Sequence, residues 1–257
     1  AELSVVIGTH ALFQDDVTFK DLGLIVIDEQ HRFGVSDRAR MVAKGYAPHV
    51  LVMSATPIPR TLALSIHGDM DLSVLDEKPP GRQVIKTATM PTSRMNEVIE
   101  AIADAAKQGD RAYWVCPLIE ESEAVDLAAV DDRYEELKAY FGKGVEIVHG
   151  RISPTKREEA MERFRSGESF LMVATTVIEV GVNVPNASIM VIEHAERFGL
   201  AQLHQLRGRV GRGEHRSLCF LLASYAQGDQ ARQRLRVMEE TNDGFRIAEK
   251  DLELRGP

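Results

Sequence analysis

The sequence predicts an α/β fold in which mostly parallel sheets are flanked by helices. Short runs rich in Val and Ile alternate with segments of helical period, as in βαβ units. Several of these runs lack polar alternation, as expected for strands that are covered on both faces. The chain has 257 residues, of which 44% are hydrophobic and 27% charged. This composition is typical of globular domains and excludes a disordered chain or a disulfide scaffold.

The alternation predicts individual elements and one well-marked helix. The predicted strands are 22–28, 49–54, 111–116, 145–150, 169–176, 187–193 and 216–223. The predicted helices are 93–107, 123–141, 154–166, 199–212 and 228–240. Ser153 and Pro154 are a typical N-cap and first residue for the third of these helices, and Gly167 is a typical stop.

The sequence DEKPPGR at residues 76–82 predicts a domain boundary, because two prolines and a glycine interrupt the pattern there. Residues 1–81 contain too few elements for a complete doubly wound domain. We therefore expect the first domain to lack its N-terminal half. Residues 82–228 contain a fuller set of strands and helices.

Charge is distributed unevenly along the chain. The formal net charge is −8, which taken alone argues against a nucleic-acid partner. Acidic residues, however, concentrate between Glu120 and Glu136, whereas arginines dominate from Arg197 to Arg236. A polyanion site in the C-terminal third is therefore compatible with the net charge.

Cysteine usage and hydropathy indicate the compartment. Cys116 and Cys219 both lie in apolar runs, so we expect buried, reduced thiols rather than a disulfide. No apolar run reaches the roughly 18–20 residues of a membrane span. We therefore expect no membrane partner and a cytoplasmic protein.

Two strand ends in the N-terminal part carry candidate chemistry. Asp28 and Glu29 follow an apolar strand, at the edge where open α/β sheets bind ligands. One carboxylate can hold Mg²⁺ and its neighbour can orient a water for attack on a phosphate. Ser54 and Thr56 follow the next strand and can hydrogen-bond towards the acidic pair. Taken singly, each segment is better explained without a ligand, by an acidic turn cap at Asp28 and Glu29 and by a Ser/Thr turn at Ser54 and Thr56. The two segments together favour the site.

A third strand end combines hydroxyl groups with a glycine-containing loop. Thr175, Thr176 and Glu179 lie where the strand gives way to the loop, and Gly181 permits close approach of the backbone. Hydroxyl and main-chain N–H groups of this kind suit phosphate contacts on a nucleic-acid strand. A strand exit without a ligand is the alternative.

The segment LAQLHQLRGRVGRG is the most specific. Gln205, Arg209 and Arg212 have i, i+4, i+7 spacing, which predicts one helical face. Gly208 and Gly211 each cost about 1 kcal/mol in a helix, which indicates a packing or ligand reason for them. Two arginines on one face can clamp a triphosphate. The alternative, a solvated basic helix, does not explain the glycines.

No G-x-x-x-x-G-K-[ST] phosphate loop occurs in the sequence, and GKG at 142–144 lacks the flanking residues. A complete ATP site is therefore not expected from this chain alone. No His or Cys residues have the spacing of zinc ligands, so no zinc site is predicted.

Four segments in order, DEQH, SAT, TTVIEVG and QLRGRVGR, resemble motifs II, III, V and VI of helicase superfamily two. IGTHALFQ, PPGR, YWVCPLIEESE, VHGR and NDGFRIAEKDLELRGP extend the resemblance along essentially the whole chain, and it is closest to the RecG family of ATP-dependent DNA helicases. The transcription-repair coupling factor Mfd shares the translocation region.

The resemblance implies one incomplete and one complete RecA-like domain, at residues 1–81 and 82–228. Residues 229–257 would begin a helical translocation motif. It also implies ATP and Mg²⁺ as cofactors, and movement along double-stranded DNA that remodels stalled forks and branched junctions in recombination and repair. The missing parts would include half of the motor and a fork-gripping wedge domain, and the oligomeric state stays open.

The resemblance also implies a role for each site residue. On the nucleotide side, Asp28 would bind Mg²⁺ and Glu29 would activate water, while Gln30 and His31 would sense the nucleotide. Ser54 and Thr56 would couple hydrolysis to movement. Glu179 and Gly181 would line the interdomain cleft, and the nucleotide site would be completed by Gln205, Arg209 and Arg212. On the DNA side stand His10, Thr175 and Thr176. Asn183 replaces the usual Asp, and its carbonyl can still accept a ribose hydroxyl.

Two other functions are compatible with these residues. One is an Mfd-like translocase that displaces RNA polymerase. The other is a non-catalytic DNA-binding module that keeps the motor fold, with strongly salt-dependent affinity.

Overall fold

The computed structural model describes residues 3–29, 33–55, 71–75, 77, 82–117, 123–175, 184–213, 215–224 and 228–255. The chain divides into two compact units, Ala1–Pro57 and Ile58–Pro257. The predicted boundary between residues 81 and 82 adjoins residues outside the described ones and stays a prediction.

The first unit contains a two-stranded parallel sheet. Strands β1 (Leu24–Ile27) and β2 (His49–Val52) pair with Leu24 opposite His49. Helix α1 (Val35–Val42) lies between them in sequence. Ile25, Ile27 and Met41 form a small core, because alternate strand residues point to one face. The sequence predicted both strands but missed α1, which is short and largely polar.

The second unit is built on a six-stranded sheet with the order β3-β8-β7-β4-β6-β5. Every pairing in it is parallel, which confirms the predicted sheet type. The strands are β3 (Ile85–Pro91), β4 (Arg111–Val115), β5 (Val145–Val148), β6 (Leu171–Ala174), β7 (Ala187–Ile192) and β8 (Ser217–Ala223). The helices are α2 (Met95–Lys107), α3 (Glu123–Phe141), α4 (Pro154–Ser166), α5 (Leu200–Arg207), α6 (Asp229–Glu240) and α7 (Gly244–Arg255).

Helices cover both faces of this sheet. Trp114 of β4 belongs to a core that also contains residues of α2 and α3. Tyr113 points to the opposite face and belongs to a core with residues of α4, α5, α6 and α7. Side chains alternate between the faces along a strand, so one continuous apolar run supplies both cores.

Helix α4 confirms the predicted caps. Ser153 Oγ accepts a hydrogen bond from the Lys156 N–H at 3.4 Å, and Pro154 is the first helical residue. Gly167 ends the helix with a φ of 88°, a left-handed value that glycine adopts without a Cβ penalty. Cys116 and Cys219 are both buried free thiols, as predicted.

One expectation about secondary structure is wrong, and one strand was missed. Helix α5 ends at Arg207 rather than at 212, because Gly208 caps it and Gly211 has a φ of 74° that no right-handed helix contains. Strand β3 was not predicted. It lies at the edge of the sheet and is only partly buried, so its sequence IKTATMP lacks an apolar run.

Candidate functional site

The two strands of the first unit end at one edge of their sheet, and the predicted carboxylates and hydroxyl lie there. Ile27 pairs with Val52, and the next main-chain N–H, that of Met53, donates to Ile27 O at 2.7 Å. Asp28 and Ser54 therefore follow neighbouring strand ends. The carboxyl edge of a parallel sheet is where such folds bind ligands.

The turn after β1 has an unusual backbone at the acidic pair. Glu29 has a φ of 51°, in the left-handed region that non-glycine residues rarely adopt. Its main-chain N–H donates to Asp28 Oδ1 at 2.8 Å. Backbone strain of this kind concentrates at functional sites. Gln30, His31 and Thr56 lie outside the described residues.

His10 lies in the same unit and contacts aromatic residues. Its ring stacks on Phe33 with 4.5 Å between the ring centroids and 28° between the ring planes. It also meets Phe13 edge-on at 5.9 Å. Phe33 follows the acidic segment closely in sequence, so this stacking connects the region of His10 to it.

Thr175 lies at the end of β6, at the carboxyl edge of the larger sheet. Its N–H donates to Val148 O at 3.3 Å. Its Oγ1 is buried and has no hydrogen-bond partner among the residues that the structure describes. Thr176, Glu179, Gly181 and Asn183 lie outside the described residues.

The arginine segment forms a turn rather than a helical face. Gln205 is in α5, whereas Arg209 and Arg212 follow the Gly208 cap, so the predicted single face is wrong. Nε of Arg212 donates to the Gly208 carbonyl at 3.3 Å. We name residues 208–213 the arginine loop. The glycines serve the turn, so the helical cost assigned to them does not arise.

Sequence reasoning missed Arg207, which is 2% exposed. Its Nη1 donates to the carbonyls of Met238 at 2.8 Å and Thr241 at 2.9 Å, and to Thr87 Oγ1 at 3.3 Å. These carbonyls lie at the C-terminal end of α6, where helix carbonyls lack partners within the helix. Burial lowers the pKa of Arg207. Arg207 thus connects α5 to the C-terminal end of α6 through hydrogen bonds.

A second missed group surrounds Glu193, at the end of β7. Arg133 of α3 donates to both of its carboxylate oxygens, at 2.6 and 3.0 Å, and Trp114 Nε1 donates to one at 2.9 Å. Burial raises the pKa of Glu193, but the hydrogen bonds and charge of Arg133 and the Trp114 N–H bring it below the usual value. The contacts of Glu193 with Arg133 and Trp114 join residues that are far apart in sequence, so no local sequence pattern predicts them.

The carboxylate of Asp28 is of the kind that a divalent cation binds. Its carboxylate is exposed beside a strand end, and Mg²⁺ takes one or two carboxylates together with phosphate oxygens and water. Among the described residues, no three His, Cys, Asp or Glu side chains are placed to hold a metal ion. No helix in the described part of the chain is long and apolar enough to cross a membrane.

Comparison with known proteins shows what the chain is similar to. The model of the DEAD/DEAH box helicase matches residues 1–64, and that of the helicase conserved C-terminal domain matches residues 93–214. An ATP-dependent DNA helicase RecG of Acidithiobacillus ferridurans is 57% identical over 256 residues, covering 99% of this chain and 37% of the relative. The chain is similar to RecG helicases along its whole length. The RecG of Escherichia coli K12 is 51% identical, over 100% of this chain and 38% of its own length.

Solved structures show the same similarity to RecG. A RecG structure bound to a three-way DNA junction covers 100% of this chain at 48% identity, with a TM-score of 0.79, and the chain covers 33% of it. Yeast Dbp5 bound to RNA and ADP BeF3 matches with a TM-score of 0.63 at 15% identity, which shows the fold alone. The RecA-like sheets and the RecG resemblance predicted from sequence are confirmed. The chain spans between 31% and 38% of the length of the curated RecG relatives that it matches.

Proposed function

We propose that this chain is a motor segment of an ATP-dependent double-stranded DNA translocase that remodels branched DNA, including stalled forks, in recombination and repair. The observation that carries the proposal is the 48% identity, along the whole chain, to a RecG structure bound to a three-way DNA junction. We expect the remainder of a RecG protein to supply the phosphate loop and the grip on the fork. Because the proposed substrate is cellular DNA, we expect a cytoplasmic location.

The proposed nucleotide chemistry starts at the end of β1. Asp28 would hold Mg²⁺, which neutralises charge on the phosphates of ATP. Glu29 would orient the attacking water and accept its proton, as the acidic residue of a phosphoryl-transfer site does. Arg209 and Arg212 would stabilise the charge that develops on the transferred phosphoryl group. The other nucleotide and coupling residues of the proposal are Gln30, His31, Ser54, Thr56, Glu179, Gly181, Asn183 and Gln205.

The proposed DNA contacts use hydroxyl and main-chain groups at the end of β6. The buried Thr175 hydroxyl, which lacks a partner among the described residues, is suited to a phosphate oxygen of a DNA backbone. Thr176 and His10 are the other residues that we propose to contact DNA. Such contacts position the strand and carry no sequence preference, as remodelling of arbitrary forks requires.

A segment-swap chimera tests this function. The matched region of the Acidithiobacillus RecG is replaced by this chain, and ATP turnover is measured with and without forked DNA. We expect DNA-stimulated turnover, which Glu29→Gln should lower by about 10²–10⁴-fold while ATP still binds. Glu100→Gln, a change of an exposed glutamate on α2, is the matched control and should leave turnover unchanged. Full turnover in the Glu29 variant would remove that residue from its role.

A further inference from the structure

Arg82 ends the PPGR segment and lies at the arginine loop. Its Nη2 donates to the Gly208 carbonyl at 3.2 Å. Nε of Arg212 donates to the same carbonyl at 3.3 Å. Two guanidinium groups that are distant in sequence therefore converge on one neutral oxygen.

The backbone holds Arg82 at this place. Gly211 has a φ of 74°, and a Cβ built on it would lie 2.9 Å from Ile85 Cγ1 and 3.5 Å from Gln83 O. The arginine loop therefore packs directly against residues 83–85. Because Arg82 precedes that segment immediately, its side chain starts next to the loop whatever rotamer it adopts.

The carbonyl does not balance the charge of Arg82. A carbonyl oxygen accepts hydrogen bonds but carries no net charge, so it does not offset the positive charge of the Arg82 guanidinium. Partial burial and then the charge of Arg212 lower the pKa of Arg82. No carboxylate among the described residues forms an ion pair with Arg82. Although part of Arg82 is covered, the residue keeps an exposed surface, so a ligand can reach it.

We propose that Arg82 and Arg212 together bind one phosphate group beside the Gly208 carbonyl, and we call this pair of residues the clamp. A phosphate offers several acceptor oxygens and up to two negative charges, and arginine forks match it in bidentate geometry. The ligand rests on the proposed function, which supplies phosphate from two sources, a nucleotide and a DNA backbone. Arg82 thereby becomes a phosphate-binding residue alongside the predicted Arg209 and Arg212.

Titration of the 257-residue chain with inorganic tripolyphosphate at low salt tests the clamp without ATP turnover. Arg82→Gln should weaken binding about tenfold or more, and Arg82→Lys should weaken it less, because an ammonium keeps the charge but loses the fork. Arg165→Gln removes the same charge from an exposed arginine of α4 that pairs with Glu162, and should change binding less than about twofold. Equal losses in the Arg82→Gln and Arg165→Gln variants, or unchanged binding in Arg82→Gln, would overturn the clamp.

Competition identifies the source of the phosphate. Bound tripolyphosphate is challenged with ATP and, separately, with duplex DNA. Displacement by ATP assigns the clamp to the nucleotide, and displacement by DNA assigns it to the backbone. Displacement by neither would contradict a functional phosphate site.

The chimera separates this proposal from the function on which it rests. If the unchanged chimera hydrolyses ATP, Arg82→Gln should raise KM for the identified ligand about tenfold, and unchanged KM and kcat would refute the clamp alone. If the unchanged chimera is inactive but the chain binds tripolyphosphate through Arg82, the proposed function fails and the clamp stands.

Discussion

Replacing Arg207 with methionine probes the buried contact between α5 and the end of α6. Arg207 donates to the Met238 and Thr241 carbonyls at 2.8 and 2.9 Å. Each buried acceptor left without a donor costs about 1–3 kcal/mol. Methionine recovers apolar packing and spares the cost of burying a guanidinium, which offsets part of that loss. We therefore expect Arg207→Met to destabilise the second unit by about 2–4 kcal/mol.

Urea unfolding followed by tryptophan fluorescence measures this loss in the right unit. Trp114 is the one tryptophan of the sequence and is fully buried in the six-stranded sheet. Arg236→Met changes an exposed arginine of α6 that pairs with Glu240, and should stay within about 0.5 kcal/mol of the unchanged chain. If Arg207→Met also stays within that margin, the account of Arg207 as a tie between helices is wrong.

Two other changes test the loop and the buried ion pair. Gly211→Ala should destabilise the second unit by about 1–3 kcal/mol, because its φ is 74° and the new Cβ would lie 2.9 Å from Ile85 Cγ1. Gly228→Ala, whose new Cβ would have no atom of the described residues within 4 Å, should cost less than about 1 kcal/mol in the same urea assay. Arg133→Met should cost about 2–4 kcal/mol near pH 7, since it leaves Glu193 buried without its partner. That cost should shrink in acid, because the lowered pKa of Glu193 stabilises the fold above the ordinary value of 4.5 and this contribution is lost as pH falls through the folded-state pKa.

Specific results would contradict these expectations. Equal stability of the Gly211 and Gly228 variants would show that the turn tolerates a side chain. A cost of Arg133→Met that stays constant from about pH 7 to pH 3 would show that the charge of Glu193 does not stabilise the fold.

Local signals in the sequence were sufficient for much of the fold. Helix α4 was predicted with both caps because Ser153, Pro154 and Gly167 act through their own backbone. Buried strands were predicted because helices on both faces require unbroken apolar runs. Strand β3 was not predicted because an edge strand is partly exposed, and its Lys and Thr residues interrupt the apolar run by which the other strands were predicted.

The candidate site was predictable where a residue follows a strand end. Asp28, Ser54 and Thr175 lie at carboxyl edges because chain order alone places them there. The arginine loop was misread because helical spacing was extended through two glycines that end the helix. Arg207, Glu193 and their partners depend on contacts between distant segments, which a single sequence does not display.

We propose that this chain drives branched-DNA remodelling with ATP when the rest of a RecG protein is present. The most direct measurement is ATP turnover by the segment-swap chimera on a three-way junction, compared with linear duplex of equal length. The account predicts turnover within about tenfold of the unmodified Acidithiobacillus protein, and a higher rate on the junction. A folded chimera with no DNA-stimulated turnover, beside an active unmodified protein, would contradict it.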